Sequence, residues 1–256
     1  MIRTILLSFL LLFLSCKEEK AIEEPETTLV KEIIDSTEIE KASEPVSYNL
    51  SVEKIDSVSF FKVRNSVKPK IKYLEKITDF KTAKHVLKGV VEFDDSEKYG
   101  DAPAVKKINF KNGTSLDNQN DFYEAYFIAY FPTEDILLCE GGHSTDVSFD
   151  LKSGKQTEET GNPNEFIFSP KNTVRLNSHY GGQECSAYFI QKKSNNHFEK
   201  ILQLDKEFEK VTGLWLCTVA EAFWADENTL YLSETNNADE NGKLSKLFFK
   251  IVLSSN

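Results

Sequence analysis

The sequence has no excess of basic residues, and this absence excludes one class of function. It contains 31 Lys and Arg against 41 Asp and Glu, which gives a formal net charge of −10 at pH 7. Proteins that bind nucleic acids through a charged surface need a basic balance, because contacts with phosphate groups supply much of their affinity. We therefore expect no nucleic-acid partner. Much of the acidity lies in residues 17–46, where ten Asp and Glu accompany four Lys.

Long hydrophobic runs are also lacking. The apolar run near the N terminus covers residues 5–14, whereas a helix that spans a bilayer needs about 20 residues. The run follows one positive charge, at Arg3, and it has the length of a signal-peptide core. We therefore predict that residues 1–15 form a signal peptide rather than a transmembrane helix.

The end of this run carries a short motif. Ser15 and Cys16 resemble the last two positions of the lipobox of bacterial lipoproteins, whose signal peptide is removed and whose cysteine becomes the diacylated first residue. The resemblance implies that Cys16 is lipidated and holds the protein at a membrane, since two acyl chains are enough for stable anchoring.

The residues after this cysteine resemble a second signal. Lys17, Glu18 and Glu19 are similar to the surface-export signal of Bacteroidota lipoproteins. The resemblance implies an outer-membrane lipoprotein displayed on the cell surface, with a periplasm-facing anchor as the alternative.

Residues 16–46 are predicted to form a flexible tether that begins at the lipidated cysteine. They are acidic and contain no aromatic residue, so they cannot bury enough apolar surface to offset the entropy of ordering them. The whole chain is 40% hydrophobic and has 19 Phe, which is enough to bury a substantial core. We expect residues 47–256 to form that core as a single β-rich globular domain.

Strand patterns dominate this predicted domain. Apolar residues alternate within residues 49–55, and residues 58–63 are rich in β-branched and aromatic types, so both segments are predicted as strands. One helix is predicted at residues 80–87, with Thr78 or Asp79 as its cap. The pair at residues 112–113, Asn-Gly, indicates a hairpin turn.

A weak internal repeat occupies the C-terminal half. Residues 129–142, 166–182 and 222–234 each contain aromatic residues, a turn with acidic or amide side chains and an apolar strand, and each is followed by a further strand. The pattern resembles β-propeller blades of the WD40 or Tol type, although no signature dipeptide is present. We therefore predict a mainly β, propeller-like set of repeated antiparallel hairpins with one short helix. A β-sandwich meander is the alternative.

Three cysteines remain if Cys16 is lipidated, and an exported location favours a disulfide. Cys139 and Cys185 flank two Gly-Gly pairs that the repeat places in equivalent turns, so a Cys139–Cys185 bridge is one expectation. Cys185–Cys217 is a comparable alternative. The absence of any bridge is a third, because Cys139 and Cys217 lie in apolar runs where a thiol packs as a small hydrophobe.

The two Gly-Gly turns also carry the candidate functional residues. Glu140, His143, His179 and Glu184 are predicted to share one rim, where a partner would bind. Two interpretations of Trp224 stay open: an aromatic residue of a β-protein usually lies in the core, but an exposed one suits an interface, and we include Trp224 in this surface on the second interpretation. Two Cys and two His flank the turns, but their spacing does not match structural zinc sites, so we expect no metal and no cofactor.

Catalytic motifs are missing as well. The sequence contains no Gly-x-Ser-x-Gly, no His-Glu-x-x-His and no phosphate-binding glycine loop. The leading hypothesis is a lipid-anchored, non-enzymatic binding module of a Gram-negative cell envelope, with a protein or glycan as its ligand. One alternative is an immunity or inhibitor lipoprotein that neutralises a toxin or a hydrolase. Another is a hydrolase or lyase that uses the Glu and His side chains of the rim as acid and base.

Overall fold

The computed structural model describes residues 47–69, 71–122, 124–182, 185–238 and 244–255. The predicted signal peptide, Cys16, the Lys17-Glu18-Glu19 signal, the tether and Glu184 lie outside the described residues. Within them, no helix is both long enough and apolar enough to cross a membrane.

Strands make up most of the regular structure. In chain order they are β1 (Tyr48–Ile55), β2 (Val91–Tyr99), β3 (Ala102–Asn109), β4 (Ser115–Asp117), β5 (Tyr126–Phe131), β6 (Ile136–Glu140), β7 (Asp146–Asp150), β8 (Ile167–Phe168), β9 (Val174–Tyr180), β10 (Ser186–Ser194), β11 (His197–Gln203), β12 (Val219–Trp224), β13 (Thr229–Ala238) and β14 (Leu244–Ser255). The α-helices are α1 (Ser57–Val67), α2 (Phe80–Val86), α3 (Thr157–Thr160) and α4 (Leu204–Thr212).

The strands form three antiparallel sheets, all of them open. Sheet 1 has the order β2-β3-β5-β6-β7, with β4 paired to β3; sheet 2 has the order β8-β9-β10-β11. Sheet 3 has the order β12-β13-β14-β1, so the first strand of the domain completes a sheet built by its last three. The prediction of a mainly β domain is confirmed, and the open sheets fit a sandwich-like arrangement.

The internal repeat corresponds to three consecutive meanders. Strands β5-β6-β7, β8-β9-β10 and β12-β13-β14 each pair in sequence order. The turns between the second and third strands of the first two meanders contain the two Gly-Gly pairs. The equivalence that the repeat predicts for these turns is therefore confirmed.

The helices are only partly as predicted. Helix α2 is confirmed, and Asp79 caps it by accepting a hydrogen bond from the Thr82 N–H at 2.9 Å. The strand predicted at residues 58–63 is wrong, because this segment is helix α1, whose inner face carries Phe60. The prediction of a single short helix is wrong too, since α3 and α4 also form.

Two main clusters of apolar side chains make the core. One lies between sheet 1 and α2 and includes Ala83, Ile108 and Phe149, which are fully buried. The other joins sheets 2 and 3 to α4. There Phe208 packs edge-on against Phe249, with ring centroids 4.9 Å apart. A cleft lined by polar residues lies between sheets 1 and 2.

Candidate functional site

The two Gly-Gly turns meet in the structure, as the repeat predicts. Gly182 has a φ of +84°, and a Cβ added there would lie 2.7 Å from Cγ2 of Thr145 and 3.7 Å from Cβ of His143. Both the backbone conformation and the close approach require glycine. The turns are joined by Asp146, whose carboxylate accepts a hydrogen bond from the backbone N–H of Tyr180 at 2.8 Å.

The predicted rim is nevertheless incomplete. Glu140 is half-buried at the end of β6, and His143 is exposed in the following turn. His179 is 6% exposed within β9, with its Nε2 3.4 Å from Oε1 of Glu158 and its ring against Phe189. The prediction that His179 faces a partner on an open rim is therefore wrong, because α3 and its neighbouring strands cover it.

Trp224 takes the core position of the two that were open, and its assignment to the rim is wrong. This side chain is 2% exposed, and its Nε1–H donates a hydrogen bond to the Ile167 carbonyl at 2.9 Å. The exposed tryptophan is Trp215, at 72%. It lies in the loop between α4 and β12, where strand alternation does not apply.

The disulfide joins Cys185 to Cys217, whose Cα atoms are 4.5 Å apart. The Cys139–Cys185 bridge is wrong, and the Cys185–Cys217 alternative is correct. Cys139 precedes its turn on β6 with its side chain in the core of sheet 1, where burial raises the pKa of the thiol. Cys139 is thus buried in the core and Cys185 is bonded to Cys217, so these two thiols do not form one site with the histidines of the Gly-Gly turns.

A different set of residues forms a polar cleft between sheets 1 and 2, with a volume of about 480 Å³. We call it the Arg175 cleft. Sheet 1 and its connections contribute Glu134 and Asp150, and sheet 2 contributes Arg175, Gln191 and His197. Residues 72–75, which precede α2, form part of its mouth.

Arg175 lines this cleft with a side chain that is only 3% exposed. Its contacts hold the guanidinium in a fixed orientation. Its guanidinium lies between two aromatic rings, 3.7 Å from the centroid of Phe166 and 4.0 Å from that of Phe198. Nε donates to Oε1 of Gln191 at 2.6 Å, and Nη1 donates to Oε2 of Glu134 at 2.7 Å. Burial lowers the pKa of Arg175 to about 10, an effect opposed by Glu134, so the group stays cationic at neutral pH.

Helix α3 orients the polar side chains that surround the arginine. The last carbonyl groups of a helix have no partner within it, and here sheet 2 supplies donors. The Nδ2 of Asn177 donates to the Thr160 carbonyl at 2.7 Å, and the Nε2 of Gln191 donates to the Glu159 carbonyl at 2.5 Å. A Cβ on Gly161, which has a φ of +68°, would collide with Asn177, so this close packing also requires glycine.

An acid and a histidine lie together in the same cleft. Oδ1 of Asp150 accepts hydrogen bonds from the backbone N–H groups of Lys152 and Ser153 at 2.9 and 3.0 Å. Nε2 of His197 lies 3.3 Å from Oδ2 of Asp150, without the alignment of a hydrogen bond. His197 begins β11, and its side chain is 28% exposed beside this carboxylate.

No protein-family model, curated protein or solved structure matches this chain. The residues of the cleft themselves decide what it can bind. They form a preformed, desolvated cation with fixed orientation, in a cavity within the range of about 300–1,000 Å³ that is usual for small-ligand sites.

Proposed function

We propose that the protein is a lipid-anchored, non-enzymatic binding module of the bacterial cell envelope, with its ligand in the Arg175 cleft. The observation that carries this proposal is the fixed guanidinium of Arg175 at the cavity. A group whose orientation is set in advance loses little entropy when a ligand arrives, so more of the interaction free energy appears as affinity.

The envelope location is supported by two observations. Residues 1–19 resemble a lipoprotein signal followed by a surface-export signal, which places the chain at the outer membrane and on the cell surface; a periplasm-facing anchor is the alternative. The Cys185–Cys217 disulfide supports export, because disulfides persist in oxidising compartments.

The propeller-like arrangement of the sheets also belongs to this proposal. Repeated meanders that follow one another around a ring must bring the two ends of the chain together. The pairing of β1 with β14 in sheet 3 supports such a closure. An experimental structure with sheets stacked face to face in layers would contradict the ring.

One observation favours the alternative of an inhibitor or immunity lipoprotein. Val211, Leu214 and Trp215 are 52%, 38% and 72% exposed around the end of α4, and the nearby Cys217 is tied to sheet 2 by the disulfide. Tryptophan is enriched among the residues that dominate protein interfaces. Trp215→Ala would then abolish co-purification of a stoichiometric protein partner, whereas the exposed Val58→Ala would leave it intact.

The anchoring part of the proposal is tested with the full chain in a Gram-negative host. We expect labelled fatty acid to be incorporated and the protein to sediment with membranes. Cys16→Ser should lose both properties, whereas Cys139→Ala, the matched cysteine control, should keep them. Equal labelling of the Cys16→Ser variant would contradict the lipid anchor.

The binding part is tested by solubilising these membranes and identifying what co-purifies. A glycan or protein recovered with the wild-type chain, and lost when the cleft is altered, supports a binding module. Turnover of a recovered ligand by the purified chain would contradict the non-enzymatic assignment.

A further inference from the structure

The guanidinium of Arg175 is only partly used by its neighbours. An arginine side chain has five N–H donors, and the described residues accept from Nε and Nη1 only. Nη2 has no hydrogen-bond partner among the described residues, and it is not completely enclosed by them. Since Arg175 lines the cleft, we take Nη2 as the edge of the cation that opens to a ligand.

Most carboxylates that line the cleft are already neutralised or hydrogen-bonded. Glu134 pairs with Arg175 at 2.7 Å, and Glu159 pairs with Lys155 at 3.2 Å. Asp150 accepts hydrogen bonds from the backbone N–H and the hydroxyl of Ser153 at 3.0 and 2.7 Å. Glu134 and Glu159 therefore do little to repel an incoming anion, whereas Asp150 keeps its negative charge.

The lysines at the mouth of the cleft are less compensated. Lys193 is exposed and pairs with no described carboxylate, and the ammonium of Lys72 lies 4.2 Å from the ring centroid of Phe168. Glu75 is the lining carboxylate without a partner among the described residues. The charged side chains of the lining balance, with Lys72, Lys155, Arg175 and Lys193 against Glu75, Glu134, Asp150 and Glu159, so the attraction of an anion depends on its position, at the open Nη2 of Arg175 and near Lys72 and Lys193.

The remaining lining residues suit a hydroxyl-rich ligand. Thr133, Asn172 and Asn196 supply side-chain hydroxyl and amide groups that both donate and accept hydrogen bonds. Tyr73 is 84% exposed at the mouth, and an aromatic ring of this kind packs against the C–H face of a sugar. A hydrocarbon anion such as a fatty acid would leave these polar groups unpaired.

We propose that the Arg175 cleft binds an acidic sugar, with the sugar carboxylate on Nη2 of Arg175 and within reach of the field of Lys72 and Lys193. A planar guanidinium fixed by stacking matches a carboxylate better than a point charge does. This inference rests on the proposed binding function and names its ligand class. A free sugar acid and the acidic end of a polysaccharide present the same chemistry.

The test is calorimetric titration of the detergent-solubilised full chain with three probes: D-glucuronate, D-glucose and inorganic phosphate. We expect saturable binding of glucuronate that weakens with added salt, and binding of glucose and phosphate that is at least about tenfold weaker. Glucose binding of equal strength would overturn the role of the carboxylate. Phosphate binding of equal or greater strength, or no glucuronate binding, would overturn the ligand class. A glucuronate-ended oligosaccharide that binds more tightly than the free acid identifies the polysaccharide as the source, and equal binding identifies the free acid.

Variants at the exposed mouth keep the test independent of folding. Lys193→Gln should weaken glucuronate binding about fivefold. Lys192→Gln removes the same charge from the adjacent residue of β10, whose ammonium instead contacts the Tyr48 hydroxyl at 2.9 Å, and it should change the affinity less than about twofold. Equal losses in both variants would mean that only net charge matters and would contradict a site in the cleft.

The two proposals fail separately. If another partner co-purifies with the wild-type chain while glucuronate does not bind, the acidic-sugar site is wrong and the binding module stands. If glucuronate binds but the chain also converts it, the non-enzymatic function is wrong and the ligand class stands.

Discussion

At the scale of single residues, the buried charge of Arg175 depends on one carboxylate. Glu134 is 15% exposed and lies against a guanidinium that is 3% exposed. A buried ion pair adds little stability compared with a hydrophobic pair, but the removal of one partner leaves the other charge unpaired at high cost. Glu134 is therefore needed mainly to compensate the buried charge of Arg175.

Glu134→Gln should consequently destabilise the domain by about 2–4 kcal/mol, because Arg175 would keep its charge without a counter-ion. Urea unfolding followed by circular dichroism measures the change. Glu207→Gln is the matched control, since Glu207 pairs with the exposed Lys210 on α4 and should cost less than about 1 kcal/mol. Equal losses in the two variants would contradict a special role for the buried pair.

Glu234 provides a pH dependence with a defined sign. Burial raises the pKa of this 6%-exposed carboxyl above the ordinary value of 4.5, although its Oε1 accepts a hydrogen bond from the Cys217 N–H at 3.1 Å. A raised pKa in the folded state means that the folded chain binds the proton more tightly, so this contribution to stability is present below pH 4.5 and lost as the pH rises through the folded pKa.

Glu234→Gln keeps the acceptor oxygen and removes the charge. We expect the variant to be more stable than wild type at pH 7, by on the order of 1 kcal/mol, and equally stable at pH 4. The urea unfolding midpoints of the variant and of the wild type, measured at pH 7 and pH 4, test this expectation. A variant that is less stable at pH 7 would show that the ionised carboxylate is favourable in the fold.

At the scale of elements, local signals predicted some segments correctly and failed for others. The helix α2 could be predicted because its cap and its apolar spacing agree. Helix α1 could not, because its composition is rich in Val and Phe, which favour strands. Its spacing of Phe60, Val63 and Val67 at i, i+3 and i+7 is the helical signal that composition concealed.

The packing of α1 gives the next prediction. Phe60 is fully buried, with its ring 5.2 Å from Phe223 and 5.0 Å from Phe248, whereas the adjacent Phe61 is 43% exposed. Phe60→Ala should therefore cost about 3–5 kcal/mol in the free energy of unfolding. Phe61→Ala is the matched control and should cost clearly less. The reverse order, measured by urea unfolding, would show that α1 presents its other face to sheet 3.

The candidate site itself was beyond local patterns. Arg175 and Asn177 alternate with the apolar Val174 and Leu176 at the start of β9, which is the pattern of a strand with one solvated face. That face is instead covered by α3, which precedes β8 and β9 in the chain, and Asn177 donates a hydrogen bond to the Thr160 carbonyl of this helix. Only the tertiary arrangement distinguishes a covered polar face from a solvated one, so the sequence pattern indicated the Gly-Gly turns but not the cleft.

At the scale of the whole molecule, the disulfide connects segments that are 32 residues apart. A cross-link of this span stabilises mainly by restricting the unfolded chain, by about 3–4 kcal/mol. Reduction of the wild-type protein should lower its urea midpoint accordingly, and Cys217→Ser should match the reduced protein. Cys139→Ala should retain the sensitivity to reductant. Unchanged midpoints on reduction would mean that the bridge adds no stability.

The partner of β1 has a consequence for how the molecule can be cut and joined. Tyr48 lies opposite Ser255 in the register of β1 and β14, so the two ends of the domain are neighbours, about 5 Å apart across the strands. A linker of a few residues could close the backbone into a circle without disturbing sheet 3, and new ends could be opened at an exposed turn such as the one at Asn112 and Gly113. In such a permuted chain the strands would be synthesised in a different order and would still pair as they do in the original chain.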